Sequence, residues 1–184
     1  MLRKNLSLVL ALAVGGLTAC SSSVETPPVN STPPVNTQPS ASQSWARAQE
    51  FLGTWTMTYK VGSTSTDTLN FVEVMNSSSQ PDDYFAVGKD QNGSVAVAWY
   101  DFKDQEYVAA SGPDQRTAFY EFPTIASDGT VKGTVWFSIN GQFSDDYAFW
   151  GKRNRSGGLS INPLTVAQLN QAQAIYAQAK AERH

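Results

Sequence analysis

The stretch "FLGTWTMTYKVG", Phe51 to Gly62, decides the fold. Trp55, Met57, Tyr59 and Val61 alternate with Thr54, Thr56, Thr58 and Lys60, the period of two that a half-buried β-strand requires. Gly53 stands ahead of the tryptophan, where a residue without a Cβ lets the chain turn tightly into the strand. Outward from this segment the same alternation recurs in "TDTLNFVEVM", "DYFAVGKD", "GSVAVAWYD", "QEYVAAS", "QRTAFYEFP", "TVKGTVWFSI" and "FSDDYAFWGKR", which makes eight expected strands. A bulge at a site such as "FVEV" inverts the faces of every residue after it.

The connectors carry hairpin chemistry. Asn92-Gly93, Asp128-Gly129 and Asn140-Gly141 suit turn positions with positive φ, and Pro113-Asp114 is a further turn signal. No helical pattern interrupts Thr54 to Arg153, so the strands should pair sequentially and antiparallel. Eight such strands avoid exposed edges by closing into an up-and-down barrel. The same hairpins also suit a two-sheet β-sandwich. After them, "NPLTVAQLNQAQAIYAQAKAERH" spaces Leu169, Ala172, Tyr176 and Ala179 by three and four residues, which predicts a C-terminal helix of 15 to 18 residues. Its narrow stripe should pack on the outside of the barrel or meet a partner.

Gly53-Thr54-Trp55 at the first strand, eight meandering strands, a helix after the eighth and Arg153 at the end of the last strand together resemble the lipocalins and their calycin relatives. The resemblance implies that Trp55 packs across the closed end of the barrel and that Arg153 stacks over it, with Lys152 as the substitute under a one-residue slip. About 100 residues of strand region suit a compact calycin-like barrel with a small cavity or none. Phe71, Trp99, Tyr120, Phe137 and Phe149 lie on different strands. They are the expected lining for a small hydrophobic ligand, or the filling of a solid core, because a barrel of about eight strands is just wide enough for either.

The beginning of the chain reads as an address. "MLRKN" is basic, "LSLVLALAVGGL" is apolar and shorter than the roughly 20 residues of a membrane span, and "LTAC" closes it with small residues. "LTAC" resembles the lipobox of bacterial lipoproteins, which implies cleavage before Cys20 and fatty acyl groups such as palmitate on its thiol. Ser21 follows the cysteine, where aspartate implies retention in the inner membrane of enteric bacteria. The expected location is the outer membrane of a two-membrane host, otherwise the outer face of the cell membrane. Cys20 is the single cysteine, so no intrachain disulfide forms. From Ser21 to Ser44 the chain is Ser, Thr, Pro, Asn and Gln with "TPPVN" repeated, a composition that buries no core. At about 3.1 Å per residue it spans roughly 70 Å when extended. The expected organisation is therefore a signal peptide over 1–19, lipidated cysteine and linker over 20–44, barrel over 45–155, and linker with helix over 156–184.

Charge and residue chemistry exclude several functions. Thirteen Lys+Arg stand against sixteen Asp+Glu, a net charge of −3 that becomes −5 once Arg3 and Lys4 leave with the signal segment. No basic stripe with interleaved aromatics points to nucleic acid, and "GKRNR" reads as a solvated strand end. The one histidine is the last residue, His184, so the usual general base and soft-metal ligands are missing. Asp82-Asp83 and Asp145-Asp146 lie near turns, and "DQNGS" lacks the rest of a calcium loop, so all three read as solvated or turn residues. No catalytic residue, metal or cofactor is expected. The expected function is non-enzymatic binding of a small hydrophobic molecule by a membrane-anchored lipoprotein, or else docking of an envelope protein partner by a solid-core barrel.

Overall fold

The computed structural model describes residues 39–112, 116–154 and 163–183. The signal segment, Cys20, the linker up to residue 38, the Pro113-Asp114 turn and His184 lie outside the described residues. In chain order the elements are α1 (Ala41–Gln49), β1 (Gly53–Val61), β2 (Ser63–Asn76), β3 (Tyr84–Asp90), β4 (Val95–Asp101), β5 (Glu106–Ser111), β6 (Arg116–Phe122), β7 (Thr130–Ile139), β8 (Gln142–Phe143), β9 (Tyr147–Asn154) and α2 (Val166–Arg183).

Strands β1 to β7 pair in sequence, β7 pairs with β9, and β9 pairs with β1, all antiparallel. The sheet thus closes as an eight-stranded up-and-down barrel with no free edge, and the sandwich alternative falls away. The two-residue β8 only extends the hairpin that leaves β7. At that hairpin Asn140 has φ 51° and Gly141 φ 77°, the pair of left-handed residues that a type I′ turn needs. The β2–β3 register shifts between Phe71 and Glu73, a bulge inside "FVEV".

The barrel interior is built in rows. Ala86, Ala98, Ala109, Tyr120 and Val135 are mutual neighbours around one layer. The alanines of β3 to β5 leave room for the rings that enter from the opposite wall, so large and small residues interdigitate to fill the lumen. Phe51, Trp55, Phe71, Tyr107 and Phe122 pack the closed end; Phe51 contacts each of the other four with ring centroids 5.6 to 6.2 Å apart.

Two helices finish the barrel. The expected start of the folded part at Trp45 is corrected, because α1 already begins at Ala41. Ser40 and Gln43 form a capping box: the Gln43 amide donates to Ser40 Oγ at 3.3 Å and the Ser40 amide to Gln43 Oε1 at 3.0 Å. The Ser and Gln residues that resemble spacer composition thus satisfy the first amides of a helix, which buries Ser44 and Ala48. Helix α2 packs on the outer face of β3 and β4. Its Tyr176 ring stacks on Phe85 at 4.3 Å and meets Trp99 edge-on at 5.4 Å, with Ala172 and Ala179 buried beside it.

Arg153 lies directly across the β1–β9 ladder from Trp55, and its guanidinium sits 5.4 Å from the Trp55 ring centroid. Lys152 pairs with Thr56 in the neighbouring register position. Trp55 is completely buried, and its Nε1–H donates to the Phe51 carbonyl at 2.6 Å. Gly53, at φ 118°, makes the turn that brings Phe51 beneath the tryptophan. Trp55→Ala is therefore expected to destabilise the barrel by about 3–5 kcal/mol in urea unfolding. A loss below about 1 kcal/mol would mean that the ring does not hold the closed end.

Candidate functional site

The space that the packed interior leaves lies at the end opposite Trp55. Among the residues that line it, Ser111, Gly112 and Ala118 are small and leave this end unfilled. The result is a half-open cup of about 280 Å³. Phe137 and Tyr59 form one wall, the β3–β4 turn with Asp90, Gln91 and Asn92 the other, and Arg116 stands at the rim. Tyr59 and Phe137 meet with ring centroids 5.4 Å apart, and the Arg116 guanidinium lies 5.8 Å from the Phe137 centroid.

The polar centre of the cup is Asp67. It lies in the inward phase of β2 with Leu69 and Phe71 and pairs with Met57 of β1. Its Oδ2 accepts from the Tyr59 hydroxyl at 3.1 Å and from the Tyr120 hydroxyl, and its Oδ1 accepts from Gln91 Nε2 at 3.0 Å. Gln91 is fixed in turn, because its Oε1 accepts from the Thr68 amide at 2.6 Å. Asp90 Oδ1 accepts from the amides of Asn92 and Ser94 at 2.8 and 2.9 Å, so "DQNGS" is a hairpin held by its own aspartate. Burial, and then the Asp67 carboxylate, push the Tyr59 hydroxyl up to about 12. The same two causes in the same order drive Tyr120 far above the ordinary phenol range.

The five aromatic residues expected to line a cavity separate into three groups. Phe137 lines the cup. Phe71, Tyr120 and Phe149 fill the lumen below it: Phe71 packs on Phe51 at 5.9 Å, and Phe149 packs on Tyr120 at 5.3 Å. Trp99 is on the outside, under Tyr176 of α2. The run "VAVAWYD" is apolar on both faces, inward at Ala96 and Ala98 and outward at Val95, Val97 and Trp99, so alternation alone does not say which face is the lumen.

Three functional contributors escape a reading by residue type. Asp67 and Gln91 are ordinary polar residues until the register is known; the available signal is a carboxylate in the apolar phase of "TDTLNF". Asp83 is corrected from a solvated turn residue to a buried clasp. It accepts from Ser44 Oγ at 3.2 Å, from the Tyr176 hydroxyl and from Lys180, and so ties α1 and α2 to the loop before β3. At the closed end Arg47 lies 4.6 Å from the Tyr100 centroid and donates to the Tyr107 hydroxyl at 2.6 Å, while Tyr107 donates to Glu50.

No group of three or more His, Cys, Asp or Glu with metal-binding proximity occurs among the described residues, and no helix among them is long and apolar enough to cross a membrane. Comparison of the chain with protein-family models, curated proteins and solved structures finds no match in any of the three.

The buried tyrosines make stability fall in alkali. The folded state holds the Tyr59 and Tyr120 protons above the ordinary phenol value of 10, whereas the unfolded chain releases them there, so the unfolded state gains from pH 10 upward. Urea midpoints should decline as pH rises from 10 toward 12, and absorbance at 295 nm should show a late component that Tyr59→Phe diminishes by about one tyrosine while Tyr120 keeps the rest late. Complete titration of every tyrosine near pH 10 in the folded protein would contradict the buried Asp67 network.

Proposed function

We propose that this chain is a non-enzymatic, lipid-anchored bacterial envelope protein whose barrel takes up one small, largely hydrophobic molecule at its open end. The observation that carries the reading is the cup above a filled lumen, with the Tyr59 and Phe137 rings and Ala118 as its apolar surface. Its volume of about 280 Å³ lies just below the roughly 300–1,000 Å³ common for drug-sized ligands, which suits a compact molecule better than a long acyl chain. The resemblance to lipocalins and calycins points the same way, since that architecture presents ligands at the open end of the barrel.

The anchor rests on the order of basic, apolar and small residues that ends in Cys20. With Ser21 after the cysteine, the outer membrane is the destination in a two-membrane host. The Ser21–Ser44 stretch supplies the spacer, shortened at its end by α1. Docking of an envelope partner through α2 has less support, because Ala172, Tyr176 and Ala179 are already buried against the barrel.

Two experiments test these parts separately. Cys20→Ser should move the protein from the membrane fraction to the soluble envelope fraction, and retention of the variant in the membrane would refute the anchor. Titration with indole, a small neutral probe, should shift the amide resonances of Ser111 and Ala118. Ala118→Phe, which fills the cup, should abolish those shifts in a barrel that still melts cooperatively. Absence of indole shifts, together with no adduct in native mass spectra of protein taken from cells, would remove the ligand-binding reading.

A further inference from the structure

Resting on the reading of the cup as a ligand site, we propose that its ligands are organic cations: small amines whose ammonium group docks on Asp67 and whose apolar body lies against Tyr59 and Phe137. A carboxylate offers about four lone-pair positions. Asp67 uses two on Oδ2, for Tyr59 and Tyr120, and one on Oδ1, for Gln91. One position on Oδ1 is left, on a side chain that lines the cup. Both tyrosine hydroxyl protons are spent on Asp67, so Tyr59 offers a ligand its ring and an oxygen that can only accept.

The charges of the lining favour a cation. Asp67 and Asp90 carry two negative charges and Arg116 one positive charge. Asp67 is half-buried and Asp90 lies in the cup wall, whereas Arg116 is exposed at the rim, where water and salt screen it most. A neutral apolar molecule would cover the remaining acceptor of Asp67 without giving it a donor, a loss that grows as water is excluded. A carboxylate ligand would meet like charge at the floor. An ammonium supplies the missing donor and also gains from the negative π density of the Tyr59 ring, whereas Phe137 already carries the Arg116 guanidinium and offers apolar contact.

The test compares three probes with nearly the same shape on the soluble barrel-containing chain with Cys20 replaced by Ser: phenethylamine, 3-phenylpropanol and 3-phenylpropionate. Phenethylamine should bind at least tenfold more tightly than the alcohol by calorimetry or chemical-shift titration, and the propionate should be the weakest. Asp67→Asn should lower phenethylamine affinity about tenfold or more while leaving the alcohol nearly unchanged. Because Asp67→Asn also disturbs the tyrosine pair, the exposed Arg116 gives an independent variant: Arg116→Gln should strengthen phenethylamine binding about two- to fivefold. Equal binding of amine and alcohol, or preference for the propionate, overturns the assignment of cations while the cup remains a ligand site. Binding of none of the three overturns the ligand-site reading and this proposal with it.

Discussion

Trp55 is held from three directions. Its ring lies under the Arg153 guanidinium from the last strand, its indole proton is taken by the Phe51 carbonyl that follows α1, and its face meets Phe122 at 6.0 Å from β6. Arg153 also donates to the Glu50 carbonyl, and its backbone amide donates to the Gly129 carbonyl at 2.9 Å. One residue therefore joins the first strand, the last strand, the helix that precedes the barrel and the β6–β7 loop. Closure of a sheet needs its first and last strands to meet in one register, and the Trp55–Arg153 pair is where that register is fixed.

With one end closed in this way, the size of the side chains determines where space remains. Aromatic rings crowd the closed end and the alanines of β3 to β5 admit them, so the interior is solid up to Tyr120. Above it Ser111, Gly112 and Ala118 are small, and the cup opens between them and the Tyr59 and Phe137 rings. Asp67 sits at this boundary. Tyr59 and Tyr120 below and Gln91 beside it make burial of the carboxylate tolerable, since a charge without such donors would cost several kcal/mol. The same arrangement leaves the Asp67 carboxylate on the lining of the cup. Outside, the Asp83 clasp and the Phe85–Tyr176–Trp99 stack hold α2 over β3 and β4, which removes a second apolar face from solvent.

Much of the barrel is legible in the sequence because its strands are amphipathic and its hairpins carry Gly. Period-two alternation fixes strands, the turns fix antiparallel order, and Gly53, Trp55 and Arg153 mark the closed end. Legibility stops where a strand is buried on both faces. In β4 the inward alanines and the outward Trp99 are equally apolar, and only the long-range placement of α2 tells them apart. Helix α1 hides in linker composition because its helical signal is a capping box, not an apolar stripe. Asp67 and Asp83 are hidden for a related reason: whether an aspartate is solvated or buried depends on Tyr120 and Tyr176, which lie 53 and 93 residues away in the chain.

With the Trp55–Arg153 pair as its clasp, the closed end should be the last part of the barrel to open, and hydrogen exchange of the Trp55 indole proton measures this directly. The indole Nε1–H and the β1–β9 amides should exchange only through global unfolding, with the same free energy that urea denaturation gives for the whole domain. An indole proton that exchanges several kcal/mol more easily than the β3–β5 amides would show that the Trp55–Arg153 closure opens independently, and that the barrel does not depend on it.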